Sequence, residues 1–392
     1  MREIAVDVAV IGAGIIGAAA AAELALRGRS VVLIDAAQPT AGTSGSCDGY
    51  LSVSTKVPGL AMEMAVESQR LWAALGPGLG DIGYSSDGGL MIVEDEADLP
   101  KVAEHAALLR SVGVSADLLD RHGLTALEPN FAPRVVGAIW CPKEAHVTPY
   151  RAVLALIAQA RARGAVTRWN AKIRTFEPTA GRLILENAEI RAEQWLIATG
   201  VGSATLGRSI GLDLPVIPRR GELVVTERCP ALVNRMAVSA TYLTAKLDPE
   251  LSKTSTDPLL RLGYGFIIER TPEGQHILGS TRTFSGFDRE PSREAVATIL
   301  REAVSRLPGL AAIQVIRTFA GLRPFVPDKK PLIGRSRILP NVLVAVGHEG
   351  DGITLAPLTA RIIADLAEGK SSPFPIDALD PDRFAKSHQA VA

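Results

Sequence analysis

The segment comprising residues 6–35 constrains the fold of this chain more than any other part of the sequence. Residues 6–11 form a short apolar run typical of a buried strand, residues 15–27 are rich in alanine and predict a helix, and residues 30–35 are a second β-branched run. Gly28 ends the helix between the two strands. This spacing predicts a β–α–β unit whose strands lie parallel within a buried sheet.

Three glycines connect the first strand to its helix in the pattern G-x-G-x-x-G. Gly12 permits a tight turn, Gly14 lets a pyrophosphate approach the backbone, and Gly17 lets the helix pack closely on the sheet. Asp35 ends the second strand about 20 residues later, where an acidic side chain can accept hydrogen bonds from an adenosine ribose. The motif predicts a dinucleotide site at the positive end of the helix dipole. The alternative is a tight turn followed by an acidic surface residue.

A second glycine-rich junction lies near the other end of the chain. Residues 341–346 form an apolar strand, residues 347–352 contain three glycines, and residues 353–366 predict a helix. Glycines before a helix expose several backbone N–H groups, which suit the negative N1–C2=O edge of a reduced flavin. This junction favours FAD over NAD, and the chain leaves regular β–α alternation soon after Asp35. The alternative is an ordinary helix start.

Composition excludes several classes of function. The 392 residues contain 42 Lys and Arg against 42 Asp and Glu, so no overall positive field attracts nucleic acid or anionic membrane. The three cysteines lack the spacing of zinc or iron–sulfur ligands. The apolar residues 6–26 contain three glycines and Glu23, which argues against a transmembrane segment. We therefore expect no metal site, no nucleic-acid partner and a reducing, cytoplasmic location.

The sequence becomes β-rich beyond residue 218. Residues 222–226 alternate in polarity, and residues 265–270 and 276–281 flank Thr-Pro-Glu-Gly, which is a hairpin-turn signal. Residues 292–307 predict a helix with one apolar face.

Several separated segments together resemble the D-amino-acid oxidase superfamily of FAD enzymes. They are residues 12–35, Ala-Gly-Thr-Ser at 41–44, Ile-Ala-Thr-Gly at 197–200, Ala-Gly-Leu-Arg-Pro at 320–324 with Asp328, Pro331 and Gly334 after it, and residues 347–357. The segments occur in the family's order and cover nearly the whole chain. The superfamily includes glycine oxidase, sarcosine oxidase β chains, D-amino-acid dehydrogenases and flavin subunits of bacterial proline, hydroxyproline and opine dehydrogenases.

The resemblance implies a fold of mixed α/β and α+β class. A discontinuous, Rossmann-type FAD-binding domain is expected from residues 1–85, 145–218 and 320–380. A second, β-rich antiparallel substrate domain is expected from residues 86–144 and 219–319.

The resemblance also implies the cofactor contacts. Thr43 and Ser44 are expected at the FAD phosphates, Ile173 at the adenine, Gly200 near the diphosphate and Thr354 beside the polar edge of the flavin. The full expected cofactor-binding set is Gly12, Ala13, Gly14, Ile15, Ile16, Gly17, Asp35, Ala36, Thr43, Ser44, Ile173, Thr199, Gly200, Gly347, Gly350, Asp351, Gly352, Ile353 and Thr354.

The FAD is expected to be non-covalent. Members with covalent flavin use a histidine just after the Thr-Ser segment or a cysteine near the Gly-Leu-Arg-Pro segment. Here Gly45 and Ser46 follow the first segment, and no cysteine lies near the second.

Arg323 and His348 are the expected catalytic residues. In glycine-oxidase-like relatives the arginine of the G-L-R-P segment binds the substrate carboxylate, and a guanidinium can do so through two parallel hydrogen bonds. The alternative for Arg323 is an ion pair with a structural carboxylate such as Asp328. His348 is expected to line the flavin face. Some relatives have a second carboxylate-binding arginine at the position of Gly350, which disfavours glycine oxidase itself and favours a substrate of different shape.

The implied reaction is oxidation of the C–N bond of an amino or imino acid to an imine, with hydride transfer to flavin N5. Residues 48–56 are similar to flavin subunits of multi-subunit dehydrogenases, which implies hydroxyproline, proline or opine substrates and hetero-oligomer partners that carry an iron–sulfur centre. One alternative is an oxygen-using glycine, sarcosine or D-amino-acid oxidase. The other is a non-catalytic FAD-binding scaffold subunit, which would not need Arg323 or the second junction.

Overall fold

The computed structural model describes residues 2–56, 58–241 and 254–385. The chain divides into two compact units, each assembled from separated stretches. Unit 1 comprises Met1–Gly45, Ala152–Pro218 and Arg323–Ala392, and unit 2 comprises Ser46–Arg151 and Arg219–Leu322.

The elements of the described residues are numbered in chain order. The strands are β1 (Arg2–Ile11), β2 (Val31–Ile34), β3 (Tyr50–Leu51), β4 (Gly89–Val93), β5 (Asp117–Asp120), β6 (Gly137–Cys141), β7 (Ala145–His146), β8 (Val166–Arg168), β9 (Ile173–Glu177), β10 (Arg182–Leu185), β11 (Ala188–Ile197), β12 (Ile217–Thr226), β13 (Met236–Ser239), β14 (Ile267–Arg270), β15 (His276–Gly279), β16 (Val315–Phe325), β17 (Leu332–Arg335) and β18 (Val342–Val346). The helices are α1 (Ile15–Leu26), α2 (Leu60–Leu75), α3 (Leu99–Ser111), α4 (Arg121–Leu127), α5 (Pro149–Ala162), α6 (Ser203–Ser209), α7 (Pro258–Arg261), α8 (Arg293–Arg306) and α9 (Gly352–Ala367).

Unit 1 is built on a mostly parallel sheet with the strand order β17-β18-β11-β1-β2-β8. β1 lies parallel to both β2 and β11, and β11 lies parallel to β18. β9 and β10 extend the sheet from β11 in antiparallel pairing. Central strands of such a sheet are covered on both faces, which explains why Val8, Ala9 and Val10 are all buried. The predicted β–α–β unit is confirmed.

Helices α1 and α9 pack against each other in unit 1. α1 is an alanine-rich helix that is buried along most of its length, and its small side chains allow close packing. Arg27, just beyond α1, bonds Glu23 in α1 at 2.9 Å and Asp365 in α9 at 2.6 Å. The β18–loop–α9 junction is confirmed as predicted, and its helix lies next to the helix of the first junction.

Unit 2 is built on a second sheet with the strand order β16-β12-β15-β14-β13-β4-β6-β5. The β14–β15 hairpin is confirmed, with Arg270 opposite His276. β13 and β4 pair in parallel, although they are far apart in sequence. The apolar face predicted for α8 is also confirmed, because Ile299, Ala303 and Leu307, the last directly after the helix, belong to the core of this unit.

The observed units differ from the predicted boundaries at residues 46–85, 145–151 and 320–322, which group with unit 2. One cause is that β3 and β7 pair with each other. A second is that the buried carboxylate of Glu144 holds the turn after β3, accepting from the Val53 and Ser54 N–H groups at 2.7 Å each. Both partners lie far along the chain from residues 50–54, so the local sequence did not indicate this grouping.

Candidate functional site

The first glycine-rich turn of unit 1 owes two of its glycines to close backbone packing. Gly12 has φ +110°, and a Cβ added there would lie 2.4 Å from the Ala198 carbonyl oxygen, after β11. A Cβ on Gly17 would lie 1.8 Å from the Gly12 carbonyl oxygen. At Gly14 the nearest atom would be the Ser44 hydroxyl, at 3.2 Å. Of the three glycines of this turn, Gly14 therefore leaves the most room for a ligand to approach the main chain.

Two side chains accept hydrogen bonds from backbone N–H groups at the start of α1. The Ala13 N–H donates to Asp35 Oδ2 at 2.7 Å, and the Ile15 N–H donates to Ser44 Oγ at 3.0 Å. Asp35 Oδ1 also accepts from the Ala37 N–H at 2.8 Å. Asp35, predicted as a ribose partner, therefore also fixes the turn itself, and sequence reasoning missed that second role.

The other predicted contacts of the nucleotide half lie around the same end of the sheet. Thr199 and Gly200 follow β11, and the Thr199 Cα would lie 3.1 Å from a Cβ on Gly12. The Ala171 N–H donates to the Asp35 carbonyl oxygen at 2.9 Å, which brings the start of β9, with Ile173, beside the end of β2. Ala36 follows Asp35 and is exposed, and Thr43 and Ser44 form a short 3-10 turn. A diphosphate fits this arrangement of glycine backbone, helix start and hydroxyl groups.

The second junction is a longer loop whose conformation is less ordinary. Gly347 has φ +80°, and a Cβ there would lie 2.3 Å from Val326. Glu349 has φ +51°, which is the left-handed region that non-glycine residues seldom adopt. Its N–H donates to the Pro324 carbonyl oxygen at 3.1 Å. α9 then begins at Gly352, and its first side chains, Ile353 and Thr354, are buried.

His348 points into unit 1 from this loop. Its side chain is 5% exposed, and its Nε2 lies 3.1 Å from Thr359 Oγ1 in α9. Burial lowers the pKa of His348 to about 4, against a small opposing effect of the Asp351 charge. The imidazole is therefore neutral at neutral pH. Thr359 is a residue that sequence reasoning missed, because nothing in the local pattern links positions 348 and 359.

Arg323 lies beside the same loop, near the end of β16. A Cβ added at Gly350 would lie 3.7 Å from both Cδ and Nε of Arg323. Asp328, the structural partner considered for Arg323, accepts from Arg383 Nε and Nη2 at 2.8 and 2.9 Å. Burial works to raise the pKa of Asp328, but the Arg383 hydrogen bonds outweigh it and lower that pKa. The observed partner of Asp328 is thus Arg383.

Unit 2 contains buried carboxyl groups that the sequence did not indicate. Glu144 is 1% exposed and accepts from the Tyr50 and Ser52 hydroxyls in addition to two N–H groups of the same turn. Glu269 accepts from the Gly49 N–H at 2.9 Å. Burial raises the pKa of Glu269 to about 8, and the nearby charge of Asp48 adds to the rise. Both groups shape residues 48–54.

Comparisons with known proteins identify the family. Residues 7–366 match the family described as DAO, FAD dependent oxidoreductase. The chain belongs to this family of oxidoreductases, and FAD is its cofactor. The glycine turn, the helix start and the second junction described above are consistent with that cofactor.

Curated relatives include both oxidases and a dehydrogenase. The chain is 27% identical to the glycine oxidase of Geobacillus kaustophilus over 380 residues, which is 94% of each chain. It is 29% identical to the D-amino acid dehydrogenase of Paramagnetospirillum magneticum over 286 residues, which cover 69% of this chain and 63% of that protein.

Solved structures show the same fold. The crystal structure of glycine oxidase from G. kaustophilus superimposes with a TM-score of 0.87 at 26% identity, covering 97% of this chain and 99% of that one. The L-proline dehydrogenase from P. horikoshii superimposes with a TM-score of 0.86 at 22% identity, over 98% of both chains. Within the described ranges, no helix combines the length and apolarity needed to cross a membrane.

Proposed function

We propose that this protein oxidises the carbon–nitrogen bond of an amino or imino acid to an imine, which water then hydrolyses or which stays cyclic. FAD supplies the hydride acceptor when it is bound. The observation that carries the proposal is the position of Arg323. Its Cδ and Nε lie 3.7 Å from where a Cβ on Gly350 would be, and Gly350 belongs to the loop that leads into α9.

The proposed role of Arg323 is to hold the substrate carboxylate. A guanidinium donates two parallel hydrogen bonds to a carboxylate, which fixes the orientation of the attached Cα–H. Asp328, the structural carboxylate named as an alternative partner, pairs with Arg383. Gly350 occupies the position where some relatives have a second carboxylate-binding arginine, which supports a substrate of different shape from glycine.

His348 is proposed as a residue that lines the flavin face without transferring a proton. A neutral imidazole with a pKa of about 4 is a weak base at neutral pH. The substrate amine would then react in its neutral form, and catalysis would consist mainly of alignment. FAD is proposed to be bound without a covalent link, so acid denaturation should release all of the flavin from the protein.

We further propose a dehydrogenase whose electrons pass to partner subunits, with hydroxyproline, proline or an opine as substrate. The similarity of residues 48–56 to the flavin subunits of such enzymes supports this version, as does the relationship to a D-amino acid dehydrogenase. The three cysteines lack the spacing of cluster ligands, so an iron–sulfur relay would belong to another chain. An oxygen-using oxidase is the second candidate, favoured by the glycine oxidase relatives with 94% coverage.

The test mixes the purified chain anaerobically with D-amino acids, D-hydroxyproline, L-proline, sarcosine and opines. Flavin bleaching identifies the substrate, and the rates with oxygen and with a dye acceptor are then compared. The dehydrogenase version predicts slow oxygen turnover and rapid dye reduction. Fast stoichiometric peroxide formation would support the oxidase, and no bleaching with any compound would support a scaffold subunit.

Arg323→Ala should weaken substrate binding by about 2–5 kcal/mol, because it removes the proposed partner of the substrate carboxylate. The variant should still bind FAD. Arg323→Lys should recover part of this loss, since it keeps the charge without the planar fork. Arg337→Ala is the matched control, because its side chain in the same unit is 73% exposed. Unchanged substrate affinity in Arg323→Ala would falsify the carboxylate role.

A further inference from the structure

The loop of residues 347–352 has a side-chain tie to the interior of α9. Thr359 is fully buried two turns along α9, and its hydroxyl lies 3.1 Å from His348 Nε2. His348 is itself buried and neutral, so this hydrogen bond joins two neutral, buried groups. A buried bond of this kind is costly to break because the remaining partner has no solvent to replace it.

A second tie joins the same loop to the strand that carries Arg323. The Glu349 N–H donates to the carbonyl oxygen of Pro324, the residue after Arg323. Between the two ties, Glu349 holds a left-handed backbone conformation that the rest of the structure must maintain. The next two N–H groups donate within the loop, that of Gly350 to Glu349 Oε2 at 2.6 Å and that of Asp351 to the His348 carbonyl oxygen at 2.9 Å. The two residues that the ties hold, His348 and Glu349, therefore contact the backbone that leads into α9.

We propose that Thr359 is a positioning residue of the flavin site, which acts through His348 to fix the N–H groups at the start of α9. Backbone donors held in advance stabilise a negative charge more than they stabilise the neutral form, because they need no reorganisation when the charge develops. Thr359 therefore favours the reduced form of the bound flavin over the oxidised form. This inference rests on the proposed use of this loop beside the flavin.

The test measures the midpoint potential of bound FAD in Thr359→Val, Thr359→Ser and Thr298→Val. Valine keeps the shape of threonine and removes the hydroxyl, and serine keeps the hydroxyl. Thr298 is a buried helical threonine of unit 2, 3% exposed, and serves as the matched control. Thr359→Val should lose tenfold in affinity for reduced relative to oxidised FAD, which for a two-electron couple is a potential about 30 mV lower.

The serine variant and the Thr298 control should both keep the wild-type potential. An unchanged potential in Thr359→Val, or an equal fall in Thr359→Ser, overturns the proposal. The potential is measured with a chemical reductant, so the result does not depend on which amino acid is the substrate. A protein that oxidises none of the compounds above can therefore still pass or fail this test.

If Thr359→Val retains no FAD, amide hydrogen exchange tests whether the Thr359 hydroxyl fixes the loop. Residues 349–352 of the variant apoprotein should then exchange faster than those of wild-type apoprotein and of Thr298→Val. Equal exchange in the three apoproteins overturns the proposal, because the hydroxyl would then have no influence on the loop.

Discussion

The two glycine-rich junctions of unit 1 join similar elements and are held in different ways. At the first junction the main chain itself dictates the glycines, since a Cβ on Gly12 or Gly17 would collide with a carbonyl oxygen. Asp35 and Ser44 then accept hydrogen bonds from backbone N–H groups of the turn. The result is a short turn with little freedom to change.

The second junction contains three charged or titratable side chains among its glycines. One of its residues, Glu349, adopts a left-handed conformation, and the loop is tied through His348 to Thr359 and through Glu349 to Pro324. The first junction thus combines tight backbone packing with two side-chain acceptors, whereas the second combines a backbone bond to Pro324 with a buried side-chain bond within unit 1. We infer that conservative changes can tune the second junction, whereas a Cβ on Gly12 or Gly17 disrupts the first.

Gly17→Ala should have the largest effect. Its Cβ would lie 1.8 Å from the Gly12 carbonyl oxygen, so either the turn or the α1 helix must move. We expect a loss of about 4–5 kcal/mol in the free energy of unfolding, in the range reserved for severe steric conflicts. Urea unfolding and FAD content measure it.

Gly14→Ala is the control for Gly17→Ala. Its Cβ would be 3.2 Å from the Ser44 hydroxyl, and a hydroxyl on a flexible side chain can move. We expect weaker FAD binding with a much smaller loss of stability. Equal stability of the two variants would contradict the distinction.

Acid should destabilise the second junction through His348. The unfolded chain takes up a proton on this residue near pH 6.5, whereas the folded chain does so only near pH 4. Stability therefore falls as the pH decreases from about 6.5 to about 4, by at most about 3 kcal/mol. Urea unfolding of wild type and His348→Asn at pH 7 and pH 5 measures the difference.

His276 in unit 2 also contributes to the pH dependence of the free energy of unfolding. Burial lowers its pKa to about 4 as well, so its contribution to the pH dependence persists in the His348 variant. The expected result is a shallower dependence in His348→Asn, not a flat one. Identical pH dependence in the two proteins would show that the His348 ring is not buried.

Gly350→Ala should have the smallest effect on stability. Its Cβ would make ordinary van der Waals contact with Arg323 at 3.7 Å, so we expect a change within about 0.5 kcal/mol in unfolding. The methyl group occupies space beside the guanidinium, and KM for the substrate should therefore change while FAD content stays the same. A severe loss of stability would mean that the loop is as tightly packed as the first turn.

Elements with strong local patterns could be predicted from the sequence. β1, α1 and β2 follow from two apolar runs separated by a glycine motif and an alanine-rich helix, and β18 and α9 follow from similar signals. The β14–β15 hairpin was indicated by its turn residues. In each case the information lies within about 30 residues of chain.

Features that depend on distant partners could not be predicted. The grouping of residues 46–56 with unit 2 depends on Glu144 and Glu269, and the second junction depends on Thr359. Buried polar side chains follow no sequence periodicity from which their partners could be predicted. Those partners are therefore identified only in the folded structure. The same limit applies to the parallel pairing of β4 with β13.

The packing of α1 on α9 sets the order in which this protein can fold during its synthesis. α1 is complete after the first 26 residues, but its partner helix begins at Gly352. A growing chain on the ribosome must therefore carry this alanine-rich helix without its partner helix until residues beyond 352 have been made, although β1 and β2 can already pack on it. Chains that stop before residue 352 should be aggregation-prone and depend on chaperones, even though they contain the whole of the first nucleotide-binding turn.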